Sequence, residues 1–499
     1  MKALRDPHRH RSSRAFVLLT VLVVVMLSSM LAVSLLFALK ADVTAQTTGV
    51  QQEQAWNAAM SGVTRAIAVA QASMRGLPAW QENAAAFQNQ FVVQDGDDQW
   101  YFTVYSASDS FTAEIRYGLT DESAKMNVYH TDPAWLASLP HLTAELVQAL
   151  LPGSEASAGD AATNSVDAFD RTSAAGDSSR TNDATTDALT SPAASPTVAT
   201  PARPTGPAGS LEELFAIAGL DPQLLYGEDA NLNLRLDPNE DDGDAQWPPD
   251  DGNGQLDLGL QADLTLVSYD RNEDAEGKPR LNLASASADD LAQSGLPQIA
   301  RDYLDAMKRA GQTLAQPADL LEAEGDFKDK SGKPVHLRSG IDRENLATLL
   351  DRCTTTNATQ LAGLLNVNTA SREVLAAIPA VGEALADSII ATRQGLSADE
   401  ARTPAWLYRR GLVSADEFKK LAPLLTTRSL QFSFRCVGYA VPSGRCRVLS
   451  VVVDLAARPA RILAIHDLTR FGFPVPLEVL QNGDAGASMP AMARGGGGL

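Results

Sequence analysis

Between Ala15 and Leu39 the chain runs for twenty-five residues without one charged side chain. At the rise of an α-helix such a run reaches about 37 Å, more than the roughly 30 Å of a bilayer's hydrocarbon core. A basic leader precedes it, with Lys2, Arg5, Arg9, Arg11 and Arg14 against the single acid Asp6, and Lys40 and Asp42 end it. That bias keeps the leader in the cytoplasm and puts everything after Lys40 across the membrane. A secretory signal peptide is the competing reading, with small residues at Ser28, Ser29, Ala32 and Ser34. Its apolar region is usually roughly 7–15 residues and is followed closely by an A-x-A-like site, and neither holds here.

The rest of the 499 residues suffices for two or three domains with their own cores. Lys and Arg number 41 against 61 acids, a balance of −20, which repels nucleic acid and anionic lipid and suits cations or basic partners. The three cysteines, Cys353, Cys436 and Cys446, make no C-x-x-C pair, and no His-rich cluster accompanies them, so a zinc site is not expected. Cys436 and Cys446 flank an expected strand–turn–strand. Even spacing puts them on one face if no bulge intervenes, and a disulfide and two unpaired packing cysteines both stay open.

From Ala41 to about Gly76 the apolar positions Val50, Trp56, Met60, Val63, Ile67 and Val69 keep a helical spacing, so the membrane helix is expected to run on into an amphipathic half. Alternation then predicts strands over Phe87–Val93, Gln99–Tyr105 and Phe111–Tyr117. Residues 152–210 are Ala, Ser, Thr, Asp and Pro with almost no large apolar groups, and are read as a disordered insertion. Helices follow at 288–293, 297–310, 317–324, 343–352, 369–378, 383–394 and 416–425, and strands return at 430–441, 447–455 and 460–467. An apolar–Asn–apolar pattern before a helix start recurs at Met126-Asn127-Val128, Leu281-Asn282-Leu283 and Leu365-Asn366-Val367. Asn is an ordinary turn and capping residue, so each alone says little.

The densest chemistry is acidic. Residues 228–257 hold ten acids and one base, Arg235. Carboxylates so crowded repel one another unless a cation sits among them, and hard cations take oxygen ligands from several loop positions. Asp229, Asn231, Asn233, Asp237 and Glu240 fall at positions 1, 3, 5, 9 and 12 of an EF-hand-type calcium loop, with the Arg235 carbonyl at 7. Leu234 departs from it, because position 6 normally needs Gly for the sharp turn. A second partial pattern, Asp251, Asn253 and Asp257, has Pro249 where its first ligand belongs, so Asp241, Asp242 or Asp244 would be lent across the loop. The bland alternative is a solvated acidic loop. No catalytic set emerges: none of the six His has a spaced partner suggesting a triad, and one dense loop suits a cation better than two opposed carboxyls.

Ser13-Arg14-Ala15-Phe16-Val17-Leu18-Leu19-Thr20 resembles the start of type IV pilin-like proteins, whose short basic leader is cut before an aromatic or apolar residue. The cut would fall between Ala15 and Phe16, although Gly is commoner than Ala there. Most pilins carry glutamate where this chain has Thr20, and the K-type minor pseudopilin of type II secretion typically lacks it. The Met126-Asn127-Val128 turn and Leu365-Asn366-Val367-Asn368-Thr369-Ala370 also resemble the borders of the helical domain inserted in K-type pseudopilins. The resemblance covers most of 14–130 and 211–470.

It implies an α+β fold: a transmembrane and amphipathic pilin-like helix packed on an antiparallel sheet, with a large inserted α-helical domain. In that division 1–15 is the leader, 16–39 the membrane span, 40–130 the helix and first strands, and 131–428 the inserted domain with the acidic loop at 227–260. The last sheet strands occupy 429–470, and 471–499 is a tail. The resemblance further implies a single-pass inner-membrane protein, mostly periplasmic, with structural calcium and no enzymatic activity, small-molecule substrate or nucleic acid. Its partners would be other minor pseudopilins and the inner-membrane secretion platform. Residues 364–395 also resemble the helix-hairpin-helix of DNA-uptake receptors, which supports an alternative, a membrane-tethered DNA-binding protein. Two bases against three acids over 361–395 weigh against that reading.

Overall fold

The computed structural model describes residues 12–74, 79–108, 114–151, 210–218, 220–243, 245–329 and 332–482. The first eleven residues, nearly all of the expected insertion and the end of the tail lie outside the described residues. One helix, α1 (Ser12–Ser73), carries the apolar run and continues unbroken for 62 residues, about 93 Å. Ala15 and Phe16 fall in its opening turns. The large apolar side chains from Val17 to Leu39 are exposed, and the helix is long and apolar enough to cross a membrane. Thr20 donates its hydroxyl to the Val17 carbonyl at 3.0 Å, which satisfies that polar group inside the helix. Farther along, Ala55, Ala58, Ala59, Val63, Ala66 and Ala70 are buried on one stripe.

That stripe lies on an antiparallel sheet. After α2 (Ala84–Phe87) come β1 (Gln90–Asp95), β2 (Asp98–Ala107), β3 (Ile115–Arg116) and β4 (Thr120–Asp121). The first strand starts later than the alternation suggests. The Asn83 side chain accepts the Ala86 amide and starts a helical turn that ends at Phe87.

The chain then leaves the sheet and builds a related unit three times. In the first, β5 (Met126–Asn127) leads to α3 (Pro133–Leu136), α4 (Ala144–Leu150), α5 (Leu211–Ala218) and α6 (Pro222–Tyr226), and β6 (Leu264–Thr265) closes it by pairing parallel with β5. After β7 (Tyr269–Arg271), β8 (Leu281–Asn282) opens the second unit. It holds α7 (Ala288–Gln293), α8 (Gln298–Arg309), a hairpin of β9 (Glu324–Lys328) and β10 (Pro334–Arg338), and α9 (Leu346–Arg352). β11 (Cys353–Thr354) closes it, parallel to β8. β12 (Gln360–Ala362), antiparallel to β7, leads into the third, with β13 (Leu365–Asn366), α10 (Arg372–Ala376), α11 (Gly382–Arg393), α12 (Trp406–Arg409), α13 (Ala415–Leu421) and the parallel β14 (Leu425–Thr426).

The recurring Asn now has a physical account. Its Oδ1 accepts the amide two residues on, at Tyr129, Ala284 and Asn368. Its Nδ2 donates to the side chain three residues past the partner Thr, namely Ser268, Asn357 and Ser429. Each partner Thr hydroxyl accepts the amide two residues on, at Val267, Thr356 and Arg428. An Asn and a Thr thus close each two-residue ladder at both ends.

β15 (Gln431–Val441), β16 (Cys446–Asp454) and β17 (Arg461–Asp467) complete the sheet in the order β1-β2-β15-β16-β17, with β3 on β2 and β4 on β15, and α14 (Leu477–Asn482) follows. Two main apolar cores result. One joins α1 to the sheet, and the other lies among the three units, from Met126 to Leu425. The segment between β4 and β15 is therefore helix-rich, as expected, but it also carries five short strand pairs and an exposed hairpin. The expected helix at 317–324 is a short 3-10 turn, Pro317–Leu320, running into β9.

The disulfide does not form. Cys436 and Cys446 are both free. In the β15–β16 ladder Cys436 faces Leu449 and Cys446 faces Tyr439, a stagger of three residues or roughly 10 Å, too far for a bridge. Cys436 instead packs on α1, its thiol donating to the Ala59 carbonyl at 3.1 Å. Burial pushes that thiol's pKa up.

Candidate metal centre

The acidic segment folds as two adjoining loops. In the first, Asp229 is fully buried, and Asn233 and Glu240 nearly so. The Asp229 carboxylate accepts the amides of Asn233 at 2.9 Å and Leu234 at 3.0 Å. Asn231 Oδ1 accepts the Asn233 amide, and Asn233 Oδ1 accepts the Arg235 amide at 2.8 Å. Glu240 reaches back from the 3-10 turn Pro238–Glu240, one oxygen on the Ala230 amide at 3.1 Å and the other on the Asp237 amide at 3.0 Å. Positions 1, 3, 5, 9 and 12 are thus gathered into one loop.

The irregular sixth position is resolved by strain. Leu232 and Leu234 both take left-handed backbone, with φ of 58° and 62°. That region is unfavourable for a branched side chain and persists only where surrounding contacts impose it. Leu234 therefore makes the sharp turn that glycine would make more easily.

Among the described residues no group of three or more His, Cys, Asp or Glu is arranged to hold a metal ion. The loop offers a mixed set instead: carboxylates of Asp229, Asp237 and Glu240, side-chain amides of Asn231 and Asn233, and the backbone at Arg235. Asp237 Oδ2 takes Asn231 Nδ2 at 2.7 Å and Asn233 Nδ2 at 2.8 Å. Each carboxylate oxygen keeps a second lone pair beyond the bond it accepts. Burial raises the pKa of Asp229 to about 6 and of Glu240 to about 7. Charged, buried carboxylates facing one another are what a divalent cation relieves. Donor chemistry and backbone path therefore fit calcium, which would neutralise the loop and tie it down.

The second loop is looser. Asp241 is lent across it, accepting the Gly254 amide at 2.8 Å, while Asp242 accepts from Gln246, away from Asp251. Asp244 lies outside the described residues. Asp251 and Asn253 bond each other, and Asp257 accepts the Gly259 amide and sits 3.5 Å from His141. Asp250, not singled out from sequence, organises the loop by accepting the Asp242, Gly243 and Gly252 amides.

What sequence reasoning could not find comes from the sheet. Arg435 on β15 pairs across the ladder with Tyr105 on one side and Ser450 on the other. Its Nε donates to the Leu232 carbonyl at 3.3 Å and its Nη1 to the Ser450 hydroxyl. More than two hundred residues separate Leu232 from Arg435, and no local pattern joins them.

A second buried set lies where the chain leaves the sheet. Asp121 Oδ2 accepts Asn366 Nδ2 at 2.8 Å, the Thr369 hydroxyl at 2.6 Å and the Ser429 hydroxyl at 2.7 Å, and Asp121 Oδ1 accepts the Ser123 amide. Glu122 accepts the hydroxyls of Thr265 and Ser433, both at 2.6 Å, and pairs with Lys125. At the α10–α11 hairpin, Arg372 is committed to Asp387 at 2.7 Å and Glu383 at 3.2 Å.

The class these observations define is a mixed α and β protein whose long apolar N-terminal helix can span a membrane. Comparisons with protein-family models, with curated proteins and with solved structures returned no match.

Proposed function

We propose that this chain is a K-type minor pseudopilin, a single-pass inner-membrane subunit at the tip of a type II secretion pseudopilus. Its role would be to start the filament, with the other minor pseudopilins and the secretion platform, and so to support export of folded proteins across the outer membrane. The observation that carries the reading is α1: one unbroken helix, apolar and exposed in its first half and buried on an antiparallel sheet in its second. A helix so built can stand in a bilayer and pack beside like helices while its globular end stays outside. The bulky three-unit segment beside the sheet suits a cap, because it obstructs stacking of a further subunit above it. Calcium in the Asp229–Glu240 loop would be structural.

A photo-crosslinker at Leu27, in membranes carrying a complete secretion system, tests this. The expected products are adducts at the masses of the other minor pseudopilins. Adducts with lipid alone would contradict the proposal.

A further inference from the structure

The acidic loop touches the sheet at one charged side chain. Arg435 is largely buried on the face of β15 turned away from α1, and it holds the Leu232 carbonyl. Leu232 is one of the two strained left-handed residues of the loop, and its side chain packs against the sheet core. No ion pair links Arg435 to Asp229, yet its charge opposes the burial of that carboxylate. Beside them the Tyr105 hydroxyl is fully buried with no hydrogen-bond partner among the described residues. A buried guanidinium needs its donors satisfied and its charge offset, and here the loop supplies a carbonyl and the nearest carboxylate.

We propose that Arg435 is a positioning residue for the cation loop, so that divalent-cation binding and docking of the three-unit segment on the sheet are one coupled event. The inference rests on the calcium reading of the loop. Arg435 fixes the Leu232 bend from outside, and that bend sets where Asp229, Asn231 and Asn233 present their oxygens. Coupling is reciprocal: a cation that orders the loop holds Leu232 on the sheet, and a sheet that holds Leu232 orders the loop for the cation. Charge alone argues the other way, since a guanidinium near the site repels a cation. The sign of the effect therefore separates the two roles.

The test is calorimetric titration of the detergent-solubilised full chain with calcium chloride, alongside thermal unfolding with and without calcium. Arg435→Gln is expected to weaken calcium binding about tenfold, the range found when residues that orient metal ligands are removed. It should also shrink the calcium-induced rise in Tm, and Arg435→Lys should recover part of both. Ser450→Ala, which removes only the sheet-side anchor, should weaken binding less and serves if Arg435→Gln does not fold. A merely structural arginine would lower Tm equally with and without calcium and leave the affinity unchanged, which would overturn the proposal. Tighter binding in Arg435→Gln would overturn it too. No calcium binding by the unaltered chain would instead remove the calcium reading itself, and this inference with it.

Discussion

The two faces of β15 are held by opposite kinds of chemistry. Toward α1 it presents Phe432, Phe434, Cys436, Gly438 and Ala440, all buried, with backbone meeting backbone closely enough that only glycine fits at 438. Toward the three-unit segment the alternate residues are polar. Gln431 accepts the Tyr269 amide at 3.1 Å, Ser433 donates to Glu122, and Arg435 reaches Leu232. The first interface depends on shape and excluded water, which are indifferent to pH and ions. The second depends on matched donors and charges, whose strength follows protonation and cations. The membrane-anchored half is thus built to be permanent, and the attached half to be adjustable.

The comparison breaks most severely at Gly438. An added Cβ would stand 2.4 Å from the Ala59 nitrogen and 2.5 Å from the Ala55 carbonyl oxygen, backbone atoms that cannot yield. Gly438→Val should cost roughly 3 kcal/mol or more, as severe overpacking does, and detach α1 from the sheet. Denaturant unfolding measures the loss, and proteolysis within 55–70 locates it.

On the polar side, Asp121→Ala leaves Asn366, Thr369 and Ser429 without their shared acceptor. The expected cost is about 2–3 kcal/mol for stranded buried donors. Hydrogen exchange should speed up across 364–430 while α1 and β2 stay protected. Equal loosening of both halves would erase the distinction.

The pH dependence sharpens it further. Burial lifts the Asp121 pKa from 3.8 to about 6, above its unfolded value. The folded state therefore binds this proton more tightly, and the contribution present below pH 4 is lost as pH rises through 6. The loss is on the order of 2–3 kcal/mol. Unfolding followed from pH 4 to 7 should show this slope in the unaltered chain and a shallower one in Asp121→Asn. The smallest effect concerns the thiols: a reductant should leave Tm unchanged, because Cys436 and Cys446 are not joined.

Sequence carried the architecture where a signal is local and repeated. The uncharged run, the helical spacing beyond it and the alternation in the last three strands all reappear within a residue or two. The Asn recurrence marked real boundaries, but a two-residue parallel ladder leaves no trace of its distant partner, so Thr265, Thr354 and Thr426 could not be matched to it. The β9–β10 hairpin was missed because an exposed ribbon with Gly325, Asp326 and Lys328 lacks an apolar face. In the acidic loop the ligand spacing is written in consecutive residues and could be read. Asp121 and Arg435 act through residues hundreds of positions away, and only the fold brings those together.

The most direct measurement is the mass of the N-terminal peptide of the protein extracted from membranes. The account predicts a mature chain starting at Phe16. An intact Met1, or a cut near Ala32, would contradict it.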